Sequence, residues 1–321
     1  MTKMKLTLNE TAAFLAEHDD YVLLTHRRPD GDTLGSAAAL CRGLRSMGKR
    51  AHLLDNPQVT PKYRPYVDGL TVDTCPADAC VVAIDMASPG LFPLSGLDLT
   101  ERVELCIDHH GSNSGYAERT LVQPECAACG EIIAVLLEVL GVRLDQPMAE
   151  ALYLALATDT GCFRYSNVTP VTLRIAALLM ERGIDAYAIN KAMFETRRLP
   201  RLKLEAYLVQ HLQQYCGGKV GICAIPWSLR GELGLNEDDL DDISGFARDI
   251  EGVEVGIMIR EQEEGGCKLS VRSSPAYDAC AICAELGGGG HKAAAGATFA
   301  GDIDATVEAI LTAVRTVYPA L

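Results

Sequence analysis

Missing from this sequence is any run of about 18 apolar residues, the length that lets a helix span a bilayer. Its start, Met1-Thr2-Lys3-Met4-Lys5-Leu6, has no apolar stretch of the kind a secretory signal carries, and the expected compartment is the cytoplasm. Basic charge is scarce too: 29 Lys and Arg stand against 43 Asp and Glu, a net charge of -14. Long nucleic acid is held by many phosphate contacts to a basic surface, so no long duplex is expected as a partner. A small anionic substrate stays open, because bound cations reverse a local field. The acidic stretch Glu237-Asp238-Asp239-Leu240-Asp241-Asp242 lacks the glycine that a calcium loop needs at its sixth position. It reads as a solvated helix start, where the helix dipole favours acids.

Cysteine is not scarce. Among 12 cysteines, Cys126/Cys129 and Cys280/Cys283 have the CxxC spacing of zinc ligands. Both pairs lie in Ala-rich, helix-like text, where they read as small core residues. A disulfide framework does not suit a cytoplasmic chain. The length of 321 residues, 48% apolar and 22% charged, suits an ordinary globular chain with two cores.

The first half alternates strand-like and helix-like text, the pattern of a parallel α/β domain. Strands are expected at 21–25, 50–54, 79–84 and 103–107. Helices are expected at 33–47, 131–140, 147–157 and 169–182, the last opening on Thr169-Pro170 and closing at Gly183. Helices at 186–195 and 202–215 would connect to a smaller α+β domain. That domain would carry strands at 220–225, 253–259, 268–273 and 297–299, and helices at 279–285 and 305–317. The expected domains are residues 1–185, a helical linker 186–217, and residues 218–321, with the active site in the cleft between the domains.

Four short segments concentrate acids and histidines: His26-Arg27-Arg28-Pro29-Asp30-Gly31-Asp32, Asp85, Asp108-His109-His110 and Asp159. The first three follow apolar runs that read as buried strands. In an open parallel sheet, groups just past the strand carboxyl ends converge on one crevice. Gly31 would let the backbone bend tightly between Asp30 and Asp32, and Asp159 would lie on a loop beyond its helix. Asp85 is the best candidate to bridge two ions, since a carboxylate can use both oxygens. Of the histidine pair, one imidazole can ligate while the other meets substrate, with Asp108 orienting an imidazole from behind. Mixed imidazole and carboxylate ligands suit manganese, iron, cobalt or zinc better than calcium. Two such ions can clamp a phosphoryl group and activate a water, so no Ser or Cys nucleophile is required. In the second half, Arg272 can grip phosphate bidentately, with Ser273 beside it. Gly288, Gly289 and Gly290 would let backbone N–H groups approach an anion, with His291 next to them. Ala293-Ala294-Ala295-Gly296 suggests tight packing around that backbone.

These motifs together resemble the DHH phosphoesterases. Asp108-His109-His110 matches the namesake motif, and His26…Pro29-Asp30-Gly31-Asp32, Asp85 and Asp159 match the other three in order. Gly288-Gly289-Gly290-His291-Lys292-Ala293-Ala294-Ala295-Gly296 resembles the associated substrate-binding domain. Thr158-Asp159-Thr160-Gly161-Cys162-Phe163-Arg164-Tyr165 is close to the bifunctional oligoribonucleases. The resemblance implies two divalent ions, Mn2+ first among them, one on His26, Asp30 and Asp85, the other on Asp32, Asp85, His109 and Asp159. It implies that His110 contacts the scissile phosphate, that Asp85 and Asp108 share the catalytic work, and that Arg272, Gly289 and His291 hold the nucleotide. The implied activity is hydrolysis of very short oligoribonucleotides to 5′-mononucleotides, with 3′-phosphoadenosine 5′-phosphate as a further substrate. The alternatives are a phosphodiesterase for cyclic or linear dinucleotides and a non-catalytic nucleotide sensor. Expected partners are therefore short oligoribonucleotides or dinucleotides, with no membrane and with a homodimer as the assembly. Gly111 departs from the pattern, since many relatives have Pro after the two histidines, and a looser loop under His110 is the expected consequence.

Overall fold

The structure is a computed structural model in which residues 3–240 and 243–321 are described. Met1 and Thr2 of the start, and Asp241 and Asp242 of the acidic stretch, lie outside the described residues. The chain forms two compact units, Met1–Thr196 and Arg197–Leu321. The stretch 186–217 divides between them by burial. Ala186 and Ile189 join the core of the first unit, while Leu204 and Leu208 are buried in the second.

The first unit runs β1 (Met4–Lys5), α1 (Leu8–Glu17), β2 (Tyr21–Leu24), α2 (Gly31–Ser46), β3 (Ala51–Leu54), α3 (Arg64–Val67), β4 (Thr71–Val72) and β5 (Cys80–Ile84). It continues with β6 (Val103–Asp108), β7 (Arg119–Val122), α4 (Cys129–Val139), α5 (Gln146–Asp159), α6 (Pro170–Met180) and α7 (Ala186–Asn190). Its strands form one seven-stranded sheet in the order β1-β7-β6-β5-β2-β3-β4, with every pairing parallel. A parallel sheet is covered on both faces, which is why β2 and β5 are apolar and buried throughout. Successive side chains leave opposite faces. Leu23, Val82 and Ile84 pack with α2, α4 and α5. Val22, Leu24, Val81 and Ala83 pack with Phe92 and Leu99 on the other side.

The strand order reverses at β2. From there β3 and β4 extend the sheet one way, while β5, β6 and β7 extend it the other. The crevice beyond the carboxyl ends at such a switch point is where open α/β sheets bind ligands. β2 leads to His26 and β5 to Asp85, one on each side of the switch.

Two local expectations need correction here. Gly31 is not a bend between the two acids but the first residue of α2, which Asp30 caps by accepting from the N–H groups of Asp32 and Thr33. Glycine is required for space: a Cβ at Gly31 would lie 2.4 Å from the Thr158 side chain, and one at Gly35 would lie 2.2 Å from the Ala151 carbonyl oxygen. α2 therefore lies almost backbone to backbone on α5. Asp159 is likewise not on a loop; it is the last residue of α5, whose carboxyl end reaches the crevice. The start expected at Thr169 holds, with a reciprocal cap between Thr169 and Thr172.

The second unit runs α8 (Leu199–Gln210), β8 (Gln213–Tyr215), β9 (Val220–Ile225), α9 (Ser228–Leu233), β10 (Val255–Glu261), β11 (Cys267–Ser273), α10 (Ala279–Ala284), β12 (Gly289–His291), β13 (Ala294–Phe299) and α11 (Ile303–Val317). Its sheet has the order β12-β13-β11-β10-β9-β8 and is antiparallel except for β9 beside β10. One face buries Ile257, Leu269 and Val271 under α10 and α11, and the other buries Cys223 and Met258. Both sheet edges fall where other structure was expected. The helix expected over 202–215 stops at Gln210, and 213–215 pairs with β9. Residues 289–291, where no strand was expected, form β12, paired with β13. Asp239 of the acidic stretch is buried rather than solvated, and Arg198 Nη1 meets its Oδ2 at 2.5 Å. A charge-assisted pair replaces the water it gives up.

Candidate metal centre and nucleotide grip

His26, Asp30, Asp32, Asp85, His109, His110 and Asp159 converge beyond the strand ends. Three overlapping sets each place one ligand atom per residue within 4.8 Å of the others: His26, Asp30 and Asp85; Asp32, His109 and Asp159; Asp85, His109 and His110.

The two outer imidazoles are oriented alike. His26 Nδ1 lies 3.0 Å from the Arg27 carbonyl oxygen, and His109 Nδ1 lies 3.1 Å from that of Cys126. A carbonyl only accepts, so each Nδ1 carries a proton and each ring aims Nε2 inward. His26 Nε2 faces Asp30 Oδ1 at 3.5 Å and Asp85 Oδ2 at 3.8 Å. His109 Nε2 faces Asp32 Oδ2 at 3.7 Å, Asp85 Oδ1 at 3.4 Å and Asp159 Oδ2 at 3.4 Å. Carboxylates gathered around two Nε2 atoms favour positive charge among them, whether protons or cations.

Asp85 carries the sharpest form of that need. Its backbone is left-handed, φ +57°, and its side chain is almost fully buried. Oδ1 has no hydrogen-bond partner. Burial, then repulsion from Asp32, Asp30 and Asp159, pushes its carboxyl well above the ordinary range. Asp159 is pushed up to about 8, by burial first and then by Asp32 and Asp30. Burial also raises Asp32, although its oxygens accept from Ser36 Oγ and from the N–H groups of Cys129 and Gly130 at the start of α4. An orphaned buried oxygen faced by His109 Nε2, on a carboxylate whose other oxygen faces His26 Nε2, among crowded carboxylates, fits divalent cations bound by these residues.

Asp108 behaves differently. It is fully buried and accepts from the N–H groups of His109 (2.8 Å) and His110 (3.1 Å), from His110 Nδ1 (2.7 Å) and from Asn113 Nδ2 (2.6 Å). Burial opposes its charge, but these donors, led by His110 and Asn113, hold its carboxyl below the ordinary range. Asp108 thus fixes the proton of His110 on Nδ1 and leaves Nε2 for another partner. Around Gly111 the Asn113 N–H bonds the His110 carbonyl and the Asp108 contact holds the His110 ring, while a Cβ at Gly111 would lie 3.7 Å from Pro124, an ordinary contact distance.

Three supporting residues were not singled out from the sequence. Thr33 donates Oγ1 to the Ile84 carbonyl and accepts from His26 N–H, which ties the ends of β2 and β5 together. Ser36 and Asn113 hold Asp32 and Asp108. Ser36 stands four residues after Asp32, on the same helical face, a spacing that would have revealed it.

In the second unit, Arg272, Ala294 and His291 occupy one row across three strands, since Arg272 pairs with Ala294 and Ala294 with His291. Residues directly opposite share a face, and neighbouring strands lie about 4.8 Å apart, so two long polar side chains flank a small one. Ser273 Oγ contacts the carbonyls of Lys292 (2.9 Å) and Tyr277 (3.2 Å), which braces this row. Gly288 and Gly290 are demanded by packing: a Cβ would lie 2.3 Å from the Gly296 carbonyl at the first and 2.6 Å from the Ala294 carbonyl at the second. A Cβ at Gly289 would meet nothing within 4 Å, so of Gly288, Gly289 and Gly290 only Gly289 leaves its backbone open to a ligand.

Comparison with known proteins agrees with this geometry. Residues 20–156 match the DHH family, N-terminal domain, and residues 209–317 match the DHHA1 domain. The bifunctional oligoribonuclease and PAP phosphatase NrnA of Thermus thermophilus is 34% identical over 301 residues, covering 91% of this chain and 88% of that protein. This chain belongs to the DHH family. The Bacillus subtilis protein of the same description is 25% identical, over 88% of this chain and 90% of its own. An exopolyphosphatase-related protein from Bacteroides fragilis shares the fold, with a TM-score of 0.87 at 23% identity, over 97% and 96% of the two chains. A DHH chain with this cluster is a metal-dependent hydrolase of phosphate esters. No helix among the described residues is long and apolar enough to cross a membrane.

Proposed function

We propose that this chain hydrolyses very short oligoribonucleotides to 5′-mononucleotides and also removes phosphate from 3′-phosphoadenosine 5′-phosphate. The carrying observation is the buried, unpartnered Asp85 oxygen faced by His109 Nε2. The near full-length likeness to NrnA supports the choice of substrate class. Two divalent ions, Mn2+ first, would be held by His26, Asp30 and Asp85 and by Asp32, Asp85, His109 and Asp159. When bound they supply Lewis acidity and an acidified water. His110, its proton fixed on Nδ1 by Asp108, would direct Nε2 to a phosphoryl oxygen. Arg272 and His291 would grip phosphate and nucleotide, with the open backbone of Gly289 beside them.

The deciding experiment follows mononucleotide release from a dinucleotide such as pApA, from longer RNA and from 3′-phosphoadenosine 5′-phosphate. Each substrate is assayed with metal, after exhaustive chelation, and after adding back manganese or calcium. Release should vanish on chelation and return better with manganese, since calcium prefers larger all-oxygen cages. Full activity after chelation, or rates that rise with RNA length, would overturn the reading.

A further inference from the structure

The segment after Asp159 bends in a way that the metal cluster does not require. Gly161, Cys162 and Phe163 are all left-handed, with φ of +56°, +59° and +62°. Two of the three carry a side chain, for which this conformation is unfavourable. Such strain persists only where the surroundings over-determine it, and it collects where ligands are handled. The surroundings do so here. Thr160 is fully buried, its Oγ1 accepts from Phe163 N–H at 3.0 Å, and its carbonyl accepts from Arg164 and Tyr165 N–H at 2.9 and 3.0 Å. Arg164 Nε returns to the Gly161 carbonyl at 2.6 Å. Asn167 Nδ2 reaches the carbonyls of Asp159 at 3.1 Å and Ala127 at 3.0 Å, which ties the turn to the candidate ligand's own backbone.

This bracing has an asymmetric result. Phe163 turns inward against Tyr153, with ring centroids 5.7 Å apart. Tyr165 stays out, 57% exposed, with its ring over Gly161. A Cβ at Gly161 would lie 2.3 Å from that ring, so glycine is what lets the ring sit there. A strained, well-buttressed turn thus fixes the half-exposed ring of Tyr165 over Gly161, which stands two positions after Asp159. Core packing does not account for it, because the ring is not in the core.

We propose that Tyr165 is a stacking platform for one nucleobase of the substrate whose phosphate lies at the Asp85 cluster. This rests on the nucleotide-hydrolysing reading above and names a specificity element for it. Aromatic stacking accepts any base, because every base has a π-face, so the device suits an enzyme that degrades short RNA without sequence preference.

The test compares Tyr165→Leu and Tyr165→Phe in the metal-loaded full chain on pApA. Leucine should raise KM about tenfold with kcat nearly kept, and phenylalanine should restore the KM, because stacking needs the ring and not the hydroxyl. A cover for Gly161 alone would be served by leucine as well as by phenylalanine. A second arm needs no turnover. Tyr165→Trp adds an indole to a chain whose one tryptophan is Trp227. Adenosine 5′-monophosphate should quench its emission saturably beyond the change seen in the unaltered protein, and ribose 5-phosphate should not. Unaltered KM in Tyr165→Leu, on a dinucleotide the parent cleaves, would overturn the proposal. So would an indole indifferent to nucleotide, and this arm decides alone if Tyr165→Leu fails to fold. If the parent cleaves no dinucleotide, the functional reading falls instead, and the fluorescence still decides whether a base stacks on position 165.

Discussion

The carboxyl ends of β5 and β6 are neighbours, paired at Ile84 and Ile107, and each delivers one buried aspartate. Asp108 collects four donors and stays ionised below the ordinary carboxylate range. Asp85 has an oxygen with no hydrogen-bond partner and is driven well above that range. Burial is the same; the supply of donors differs. A carboxylate that the protein satisfies itself can organise a neighbour, here His110. A carboxylate left unsatisfied in the interior is costly unless something from outside completes it. The contrast sets the two acids apart without reference to any relative.

The largest expected effect comes from removing the unsatisfied acid. Asp85→Asn keeps the shape and tolerates left-handed backbone. Turnover should fall about a hundred- to a thousandfold, as when a preorganised transition-state contact is lost. Elemental analysis should show depleted metal, while the chelated variant should melt higher than the chelated parent. A variant with normal metal content would end the ligating role of Asp85. Asp108→Asn should behave as its counterpart. Loss of a supporting contact of this kind removes about 10- to 100-fold of activity. The bound metal should be retained, and that is the point of comparison. If Asp108→Asn loses metal as fully as Asp85→Asn, the two acids are not different in kind.

The second unit sharpens the contrast from another side. Its row of Arg272, Ala294 and His291 involves no metal-type cluster, so its removal should leave metal content alone. Arg272→Ala should raise KM for a dinucleotide about tenfold or more, since a charged hydrogen bond is worth about 1.5–3 kcal/mol. A small artificial phosphodiester, which offers the second unit little to hold, should lose far less. Equal losses on both substrates would mean that Arg272 serves the chemistry itself.

How much of this was legible in the sequence depends on the length of the signal. Strand β9 occupies the expected residues 220–225, and β5 is shorter by one residue, because buried parallel strands show as unbroken apolar runs. The convergence of these acids and histidines was legible because strand ends in a parallel sheet have one place to converge. The edges β8 and β12 were not. Gln213–Tyr215 and Gly289–His291 are three residues each, too short for periodicity, and only a partner strand makes them strands. The roles of Gly31 and Asp239 were misread for a related reason. Gly31 is set by Thr158 and Asp239 by Arg198, contacts distant in sequence. Neither the left-handed backbone of Asp85 nor the lack of a hydrogen-bond partner for its Oδ1 has any local signature.

The smallest expected effect tests the electrostatics directly, in the absence of metal. The folded-state values of Asp85 and Asp159 lie above 3.8, and Asp159 reaches about 8. Between about pH 4 and 8 the folded chain therefore holds protons that the unfolded chain has released. Stability falls with pH wherever the folded state binds more protons, so the chelated protein should lose melting temperature as pH rises through that window. His26, raised by Asp30 and Asp32 despite burial, acts in the same direction, since its stabilising proton is lost as pH rises. Asp108 acts oppositely, but it is lowered, so its contribution is lost only on acidification below the ordinary carboxylate range. Protons thus stand in for the missing cations. With manganese present the ions hold these groups ionised, and the slope between pH 5.5 and 8 should flatten. Scans at matched ionic strength, with chelator and with manganese, decide it. A chelated protein that becomes more stable toward pH 8 would show that the Asp85 cluster is not the charge-deficient site described here.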